Sequence, residues 1–180
     1  MRVIDLDVCG LKIIVPMVFS DDRGFFLETY RANRYKDILG VEFKQDNMSY
    51  SKYGTIRGLH YQKKPQMQAK LVRCSHGEIM DVAVDIRTGS PTFGKHSWVI
   101  LSAKNCNQFF IPEGFAHGFS VLSKEAVVEY KCSNYYHPES DAGIIYDDEQ
   151  LGINWMIPLN ERILSDKDLS LPCLSSLERR

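Results

Sequence analysis

The sequence has no long hydrophobic run. The apolar N-terminal stretch MRVIDLDVCGLKIIVP is broken by Asp5, Asp7 and Lys12. No stretch elsewhere approaches the roughly 18 consecutive apolar residues that a membrane span requires. The sequence therefore predicts no membrane segment, and the cytoplasm is the expected location.

An excess of charge of either sign is also missing. The 180 residues include 22 basic and 23 acidic side chains, the formal net charge is −1, and the isoelectric point is about 6.5. A dedicated nucleic-acid binder needs a basic field to meet the phosphates. We therefore expect no nucleic-acid partner, and any site for an anion must be local.

Closely spaced cysteines are absent. The cysteines form no CxxC pair and are odd in number, so the sequence indicates neither a disulfide framework nor a cysteine zinc site. We expect them to be reduced and partly buried. They are Cys9, Cys74, Cys106, Cys132 and Cys173.

Several motifs of cofactor and metal sites are missing as well. There is no GxGxxG or GxxxxGK[ST] loop for a dinucleotide or triphosphate, no GxSxG turn and no HExxH motif. Metal-dependent jelly-roll enzymes usually carry two histidines on one strand as HxH, and this sequence has no HxH. A bound metal is therefore disfavoured.

Short alternating strand patterns dominate what is present. Runs such as LKIIVPMVF, GFFLETY and HSWVILS are bounded by turn residues, and a helical pattern is confined to about residues 30–39. This pattern predicts an all-β antiparallel sandwich or jelly roll with a few short helices, in a single domain spanning 1–180. Because only the turn SHGE separates AKLVRC from EIMDVAVDI, these two runs are expected to form a hairpin.

Polar side chains interrupt several of the apolar strands. In RGLHYQ, residues 57–62, a regular strand places His60 and Gln62 on one face, and Arg57 and Leu59 on the other. Further polar residues among apolar neighbours are Lys70, His117 and Tyr130. Taken singly, a hydrogen-bonded structural histidine is the commoner explanation for His60, a solvated lysine for Lys70 and a core tyrosine for Tyr130. Together they would fit one polar pocket.

Nine motifs, in order along the chain, resemble the dTDP-4-dehydrorhamnose 3,5-epimerase family. They are DDRGFFLE (21–28), FKQDNMSYS (43–51), RGLHYQ (57–62), QAKLVR (68–73), DVAVDIRTGSPTFG (81–94), IPEGFAHGF (111–119), YKCSNYY (130–136), INW (153–155) and LSDKD (164–168). The resemblance extends from about residue 1 to about residue 172. The tail beyond residue 172 is uninformative.

The resemblance implies a fold and a chemistry. The fold is a cupin-type jelly roll, found as a homodimer that exchanges N-terminal strands and works without a metal or a cofactor. The substrate is dTDP-4-keto-6-deoxyglucose, inverted at C3 and C5 to dTDP-4-keto-L-rhamnose in dTDP-L-rhamnose synthesis. The C4 carbonyl acidifies both neighbouring C–H bonds, so the reaction needs a base, a cation or donor at the C4 oxygen, and an acid on the opposite face.

The resemblance assigns catalytic roles to four residues. His60 matches the base of the family, and Asp168 in LSDKD matches the aspartate that orients the imidazole. Lys70 matches the residue near the developing oxyanion, where a fixed positive charge stabilises the enolate. Tyr130 matches the acid opposite His60, because a phenol donates a proton yet is neutral at rest.

The same motifs imply the substrate-binding residues. Arg23 and Arg57 match arginines that reach the diphosphate, and in a strand-exchanged dimer some of these binding residues, together with Glu28, are expected to serve the neighbouring subunit's site. Tyr136 matches the tyrosine that stacks on the thymine ring. The other matched contact positions are Gln45, Asp46, Asn47, His117, Asp141 and Lys167.

One departure and two alternatives stand beside this interpretation. Asp141 occupies a position where relatives often carry the longer glutamate. The chain could instead be a C3-only or C5-only epimerase of another nucleotide-linked 4-keto sugar. It could also be a sugar-binding cupin without catalysis, but that alternative predicts loss of His60, Lys70 or Tyr130, and all three are present.

Overall fold

The strands and helices are described for residues 1–177 of a computed structural model, so residues 178–180 of the predicted uninformative tail lie outside the described residues. The strands are β1 (Arg2–Asp5), β2 (Lys12–Val15), β3 (Val18–Asp21), β4 (Gly24–Leu27), β5 (Gln45–Lys52), β6 (Ile56–Gln62), β7 (Lys70–His76), β8 (Glu78–Asp85), β9 (His96–Ser102), β10 (Gln108–Ile111), β11 (Phe115–Val121), β12 (Glu125–Cys132) and β13 (Asp141–Gly143). The α-helices are α1 (Ala32–Leu39) and α2 (Asp166–Leu169), and 3₁₀ turns lie at Pro138–Ser140, Leu159–Glu161 and Leu174–Ser176. None of the helices among these residues is long and apolar enough to cross a membrane.

Two antiparallel sheets lie face to face. The six-stranded sheet has the order β1-β2-β10-β7-β12-β5, the five-stranded sheet has the order β13-β6-β11-β8-β9, and β3 pairs with β4 in a separate hairpin. Buried side chains from both sheets, among them Val72, Val128, Ala83 and Phe119, form one core between the sheets. The prediction of an all-β jelly roll with a few short helices is confirmed.

The chain crosses from one sheet to the other where the sequence predicts a hairpin. β7 pairs with β10 and β12, whereas β8 pairs with β11 and β9, so the predicted pairing of AKLVRC with EIMDVAVDI is wrong. Gly77 forms the corner at φ +77, and a Cβ there would clash with the Glu125 carbonyl. This corner places Lys70 and Asp81 on different sheets.

β6 does not alternate regularly between its two faces. The pairing of β6 with β11 shifts register at Gly118, and this shift is a β-bulge. On β6, Gly58 adopts φ +122, and a Cβ on this residue would clash with the backbone of Gly118. As a result Arg57 lines the same cavity as His60, whereas Leu59 packs into the apolar cluster behind the sheet. The prediction that Arg57 faces away from His60 is therefore wrong.

Helix α1 covers one part of the outer face of the six-stranded sheet. It spans residues 32–39, within the helical pattern predicted for residues 30–39. Tyr35 is buried and packs against Leu71 and Phe110 of the sheet. The remainder of this outer face, around Met48 and Tyr50, is exposed.

The C-terminal segment covers the outer face of the five-stranded sheet. Trp155 is fully buried in a cluster with Leu59 and Val82, and its indole N–H donates to the Tyr146 carbonyl at 2.7 Å. Because the C-terminal segment runs across this face, α2 contacts β6. A residue far along the chain therefore reaches the strand that carries His60.

The cysteines are free thiols. Cys74 and Cys132 are buried, Cys106 is partly buried, and Cys9 and Cys173 are exposed. The predicted burial therefore holds for Cys74, Cys106 and Cys132 but is wrong for the exposed Cys9 and Cys173.

Candidate active site

A polar cavity of about 220 Å³ lies between the two sheets. A second cavity of about 170 Å³ shares His60, Lys70 and Tyr130 with it, so the two form one site. Strands of both sheets contribute, together with the residues around β13 and α2. The structure brings together the following predicted site residues: Gln45, Asn47, Arg57, His60, Lys70, His117, Tyr130, Tyr136, Asp141 and Lys167.

His60 and Asp168 form a hydrogen-bonded pair at one side of this site. Nε2 of His60 lies 2.5 Å from Oδ1 of Asp168. The side chain of Ser165 accepts from the Asp168 N–H and caps α2. Burial opposes ionisation of Asp168, but the hydrogen bond and charge of His60 outweigh it, and the pKa of Asp168 is lowered. Because an ionised Asp168 accepts from Nε2–H, the lone pair of a neutral His60 lies on Nδ1.

Lys70 and Tyr130 lie on the sheet that faces His60. They belong to the paired strands β7 and β12, and the Lys70 ammonium lies 5.8 Å from the centre of the Tyr130 ring. Burial lowers the pKa of Lys70 and raises the pKa of Tyr130. The phenol is therefore protonated at neutral pH. An imidazole on one sheet thus faces an ammonium and a neutral phenol on the other.

The family resemblance assigns no role to Asp81, a fully buried carboxylate beside the site. Its two oxygens lie 3.0 and 3.1 Å from Nε2 of His117, and Nδ1 of His117 lies 3.4 Å from Nζ of Lys70. A signal was available in the run EIMDVAVDI, where an aspartate stands among apolar residues. A buried carboxylate needs a donor, so such a residue points to a polar partner on a neighbouring strand.

The mouth of the cavity is held together by hydrogen bonds between polar side chains. Asp141 accepts from the Lys167 ammonium and, at 3.2 Å, from the Tyr136 hydroxyl. Gln45 accepts from the Tyr136 N–H at 2.9 Å, and its amide donates to Asn47 at 3.0 Å. The carboxylate of Asp141 therefore reaches both partners at once.

Three predicted binding residues lie away from the cavity. Arg23, next to the tip of the β3–β4 hairpin, pairs with Asp21, and Glu28 follows β4. On β5, Asp46 lies between Gln45 and Asn47, which line the cavity, and points to the opposite face of the sheet. Its carboxylate pairs with the Lys131 ammonium at 2.8 Å. A single copy of the chain therefore does not bring every predicted binding residue to one site.

This arrangement suits proton transfer on the two faces of a flat molecule. A base on one sheet and a phenol on the facing sheet can remove a proton from one face and return a proton to the other. Because the Lys70 ammonium is buried, it stabilises negative charge more strongly than it would in bulk water. Within residues 1–177, no three His, Cys, Asp or Glu side chains are grouped so that they could hold a metal ion.

Both the sequence and the fold have relatives among known proteins. The family model described as dTDP-4-dehydrorhamnose 3,5-epimerase matches residues 5–176. The dTDP-4-dehydrorhamnose 3,5-epimerase of Escherichia coli (strain K12) is 50% identical, across 99% of this chain and 97% of its own length. The crystal structure of the epimerase of Legionella pneumophila Philadelphia 1 with dTDP-4-keto-L-rhamnose has a TM-score of 0.93 and 51% identity, covering 97% of this chain and 93% of that one.

A relative with a narrower activity has the same fold. The 3′-monoepimerase ChmJ from Streptomyces bikiniensis, in complex with dTDP-quinovose, has a TM-score of 0.89 and 34% identity, covering 97% of this chain and 88% of that one. The family model and the E. coli relative both cover nearly the whole chain. The chain therefore belongs to the dTDP-4-dehydrorhamnose 3,5-epimerase family of isomerases.

Proposed function

We propose that the protein inverts C3 and C5 of dTDP-4-keto-6-deoxyglucose to form dTDP-4-keto-L-rhamnose, a step of dTDP-L-rhamnose synthesis. The name of the E. coli relative and the ligand of the Legionella relative support this substrate class. The observation that carries the proposal is the position of His60 and Tyr130 on facing sheets, with Lys70 beside the tyrosine.

In the first half of each inversion, His60 is the base. It takes the proton from C3 or C5, and the electron pair left behind delocalises onto the C4 carbonyl oxygen as an enolate. Lys70 donates a hydrogen bond to that oxygen and stabilises its charge. Asp168 orients the imidazole and stabilises the imidazolium that forms. One carbonyl thus serves both inversions.

In the second half, Tyr130 is the acid. The enolate carbon is planar, so a proton delivered from the side of Tyr130 produces the inverted centre. The resulting phenolate then takes up a proton from solvent, and the imidazolium of His60 releases one. Each inversion therefore leaves the enzyme and the number of protons unchanged. Placement of such an acid and base typically contributes roughly 10²- to 10⁴-fold in rate.

The nucleotide end of the substrate is proposed to bind at the mouth of the cavity. Tyr136 is half exposed and offers an aromatic face to the thymine ring. Arg57 and Lys167 supply positive charge for the diphosphate. The amides of Gln45 and Asn47 supply donors and acceptors for the sugars.

The proposed reaction requires neither a cofactor nor a change of oxidation state. The carbonyl of the substrate accepts the electron pair, so no separate electron acceptor is needed, and each step is a proton transfer. We also propose that residues 1–180 form a single domain and that the protein acts in the cytoplasm.

The β3–β4 hairpin supports a homodimer. Four large apolar side chains on or beside it are each more than half exposed, namely Met17, Phe19, Phe25 and Phe26. An open cavity of about 340 Å³ lies beside Met48 and Arg73. We propose that a second copy covers these surfaces, and that Arg23 and Glu28 bind substrate in the neighbouring subunit's cavity.

Co-expression of two variants tests this dimer. His60→Asn removes the base, and Arg23→Ala removes an arginine proposed to act in the partner's cavity. In heterodimers, one cavity of the two retains both residues, so about a quarter of all cavities are intact after random pairing. We expect the mixture, below saturating substrate, to be more active than the average of the separate variants. Activity equal to that average would contradict the exchange.

Proton NMR of dTDP-4-keto-6-deoxyglucose in D₂O, without added metal or cofactor, tests the reaction itself. We expect deuterium at both C3 and C5 and the appearance of dTDP-4-keto-L-rhamnose. Tyr130→Phe is expected to retain proton abstraction but to lose inversion. His76→Ala is the matched control, because the His76 side chain is 61% exposed and lines neither part of the site. The absence of exchange at both carbons in the wild-type protein would contradict the proposal.

A single-carbon epimerase of another nucleotide-linked 4-keto sugar is the second candidate. The 3′-monoepimerase from S. bikiniensis supports it, because that protein has the same fold at 34% identity. Deuterium at one carbon only, in the NMR experiment above, would select this candidate. A sugar-binding cupin without catalysis would bind dTDP-sugars and show no exchange, and the grouping of His60, Lys70 and Tyr130 argues against it.

A further inference from the structure

A buried carboxylate reaches the candidate active site from inside the five-stranded sheet. Asp81 on β8 is 0% exposed, and both of its oxygens lie within 3.1 Å of Nε2 of His117 on β11. The His117 side chain is 6% exposed, and its Nδ1 lies 3.4 Å from Nζ of Lys70 on the facing sheet. Asp81, His117 and Lys70 therefore form a continuous hydrogen-bonded chain between the sheets.

This chain has one consistent set of proton positions. An ionised Asp81 can only accept, so Nε2 of His117 carries a hydrogen and donates it. The lone pair of the neutral imidazole is then on Nδ1, where it accepts from the Lys70 ammonium. Burial lowers the pKa of His117, and the nearby Asp81 opposes this effect.

We propose that Asp81 is a positioning residue that, through the imidazole of His117, holds the Lys70 ammonium in place at the site of the developing oxyanion. A lysine has a flexible four-carbon stem and three rotatable donors, so it needs a fixed partner to present a charge in one direction. His117 takes one donor of Lys70 and leaves the other two for ligands. The role of the fixed ammonium in stabilising an oxyanion rests on the proposed function. The hydrogen-bonded chain itself is independent of that function.

The charge of Asp81 also acts on the protonation of Lys70. Burial lowers the pKa of Lys70. Negative charges around the ammonium, Asp81 among them, partly oppose this effect by raising the same pKa. Removal of the Asp81 charge is therefore expected to lower this pKa further. The other titratable or charged groups that face the chain are Arg57 and His60 from β6, Tyr130 and Cys132 from β12, and Asp141 from β13.

NMR tests the proton positions without reference to catalysis. Nitrogen-15 labelling of histidine should show His117 as the Nε2–H tautomer in the wild-type protein. The titration of Lys70 is followed at its ε-carbon, with Lys70→Met for assignment. Asp81→Asn keeps an acceptor oxygen but removes the charge, and Asp81→Ala removes both. We expect the Lys70 pKa to fall in both variants; an unchanged Lys70 titration in Asp81→Asn, which is the variant more certain to fold, would overturn the proposal.

Kinetics separate positioning from a purely structural role. We expect kcat for exchange at C3 and C5 to fall up to roughly a hundredfold in Asp81→Ala, with a smaller loss in Asp81→Asn and little change in KM. The basic limb of the kcat profile should move to lower pH in both variants. Asp85→Asn is the matched control, because it removes another fully buried carboxylate from β8 whose partner is Arg87. An equal loss of kcat in the control would overturn the proposal. If the wild-type protein shows no exchange, the proposed function fails, and the NMR result still decides the role of Asp81.

Discussion

Two histidine–aspartate pairs lie within one cavity system, and they differ in their access to solvent. The His60 side chain is 31% exposed, and its partner Asp168 comes from α2, outside the sheets. The His117 and Asp81 side chains are 6% and 0% exposed and belong to neighbouring strands of one sheet. The first pair is open at one side, and the second is sealed.

This difference shows how position gives the same two side chains different properties. A general base exchanges protons with substrate and water in every turnover, and only His60 has that access. A sealed imidazole resists protonation, because a charged group is costly where water is excluded. The sealed pair is therefore suited to fixing hydrogen bonds, and the open pair to moving protons.

The largest expected effect separates the two histidines directly. His60→Asn should lower deuterium exchange at both C3 and C5 by roughly 10²- to 10⁴-fold, because it removes the base. His117→Asn leaves the base in place and should lower exchange by at most roughly a hundredfold. NMR in D₂O measures both, and calorimetric binding of dTDP serves as the folding control. Equal losses in the two variants would remove the distinction between the open and sealed pairs.

A smaller effect is expected when the open pair loses its carboxylate. Asp168→Asn keeps the shape of the side chain but removes the charge that orients His60. We expect kcat to fall at least roughly 10- to 100-fold, by analogy with the carboxylates that orient metal-bound histidines. Asp166→Asn, an exposed carboxylate on the same helix, is the control and should retain wild-type kcat. An equal loss in both variants would assign the effect to the integrity of α2.

The two pairs also differ in how far the sequence predicts them. His60 and Asp168 are 108 residues apart, and only the resemblance of the RGLHYQ and LSDKD motifs to one family connects them. Asp81 belongs to one of the matched motifs, but nothing in its alternation with apolar residues distinguishes it from Asp85. What separates these two aspartates is the partner on the adjacent strand or loop, and that partner is set by tertiary pairing.

Local patterns predicted strands and the first helix better than they predicted connections. Alternation over short runs reflects burial of one face, so it survives in the observed strands. The turn after His76 reads as a hairpin, but the neighbours of β7 and β8 in their own sheets decide that the chain crosses over. The face of Arg57 likewise depends on a bulge formed where Gly58 meets Gly118. Such contacts join distant segments and leave little local signal.

Another buried aspartate, Asp85, provides a test in which the site is untouched. Burial alone would raise the pKa of Asp85, but hydrogen bonds from Arg87, Ser90 and Thr92 outweigh it and lower the pKa to about 2. These partners lie in the loop between β8 and β9. The carboxylate therefore anchors a loop and does not contact His117.

Asp85→Asn is expected to change stability and leave turnover unchanged. Because the folded-state pKa lies below the unfolded value of about 3.9, the ionised carboxylate stabilises the fold above about pH 4, and this stabilisation is lost as the pH falls toward 2. The variant should therefore lose about 2 kcal/mol of unfolding free energy at pH 7 and show a flatter acid limb. Urea unfolding at a series of pH values measures this, and exchange at C3 and C5 is measured in parallel. Slower exchange in Asp85→Asn would mean that loss of any carboxylate from β8 disturbs the site. The effect of Asp81 variants could then not be assigned to the pair of Asp81 and His117.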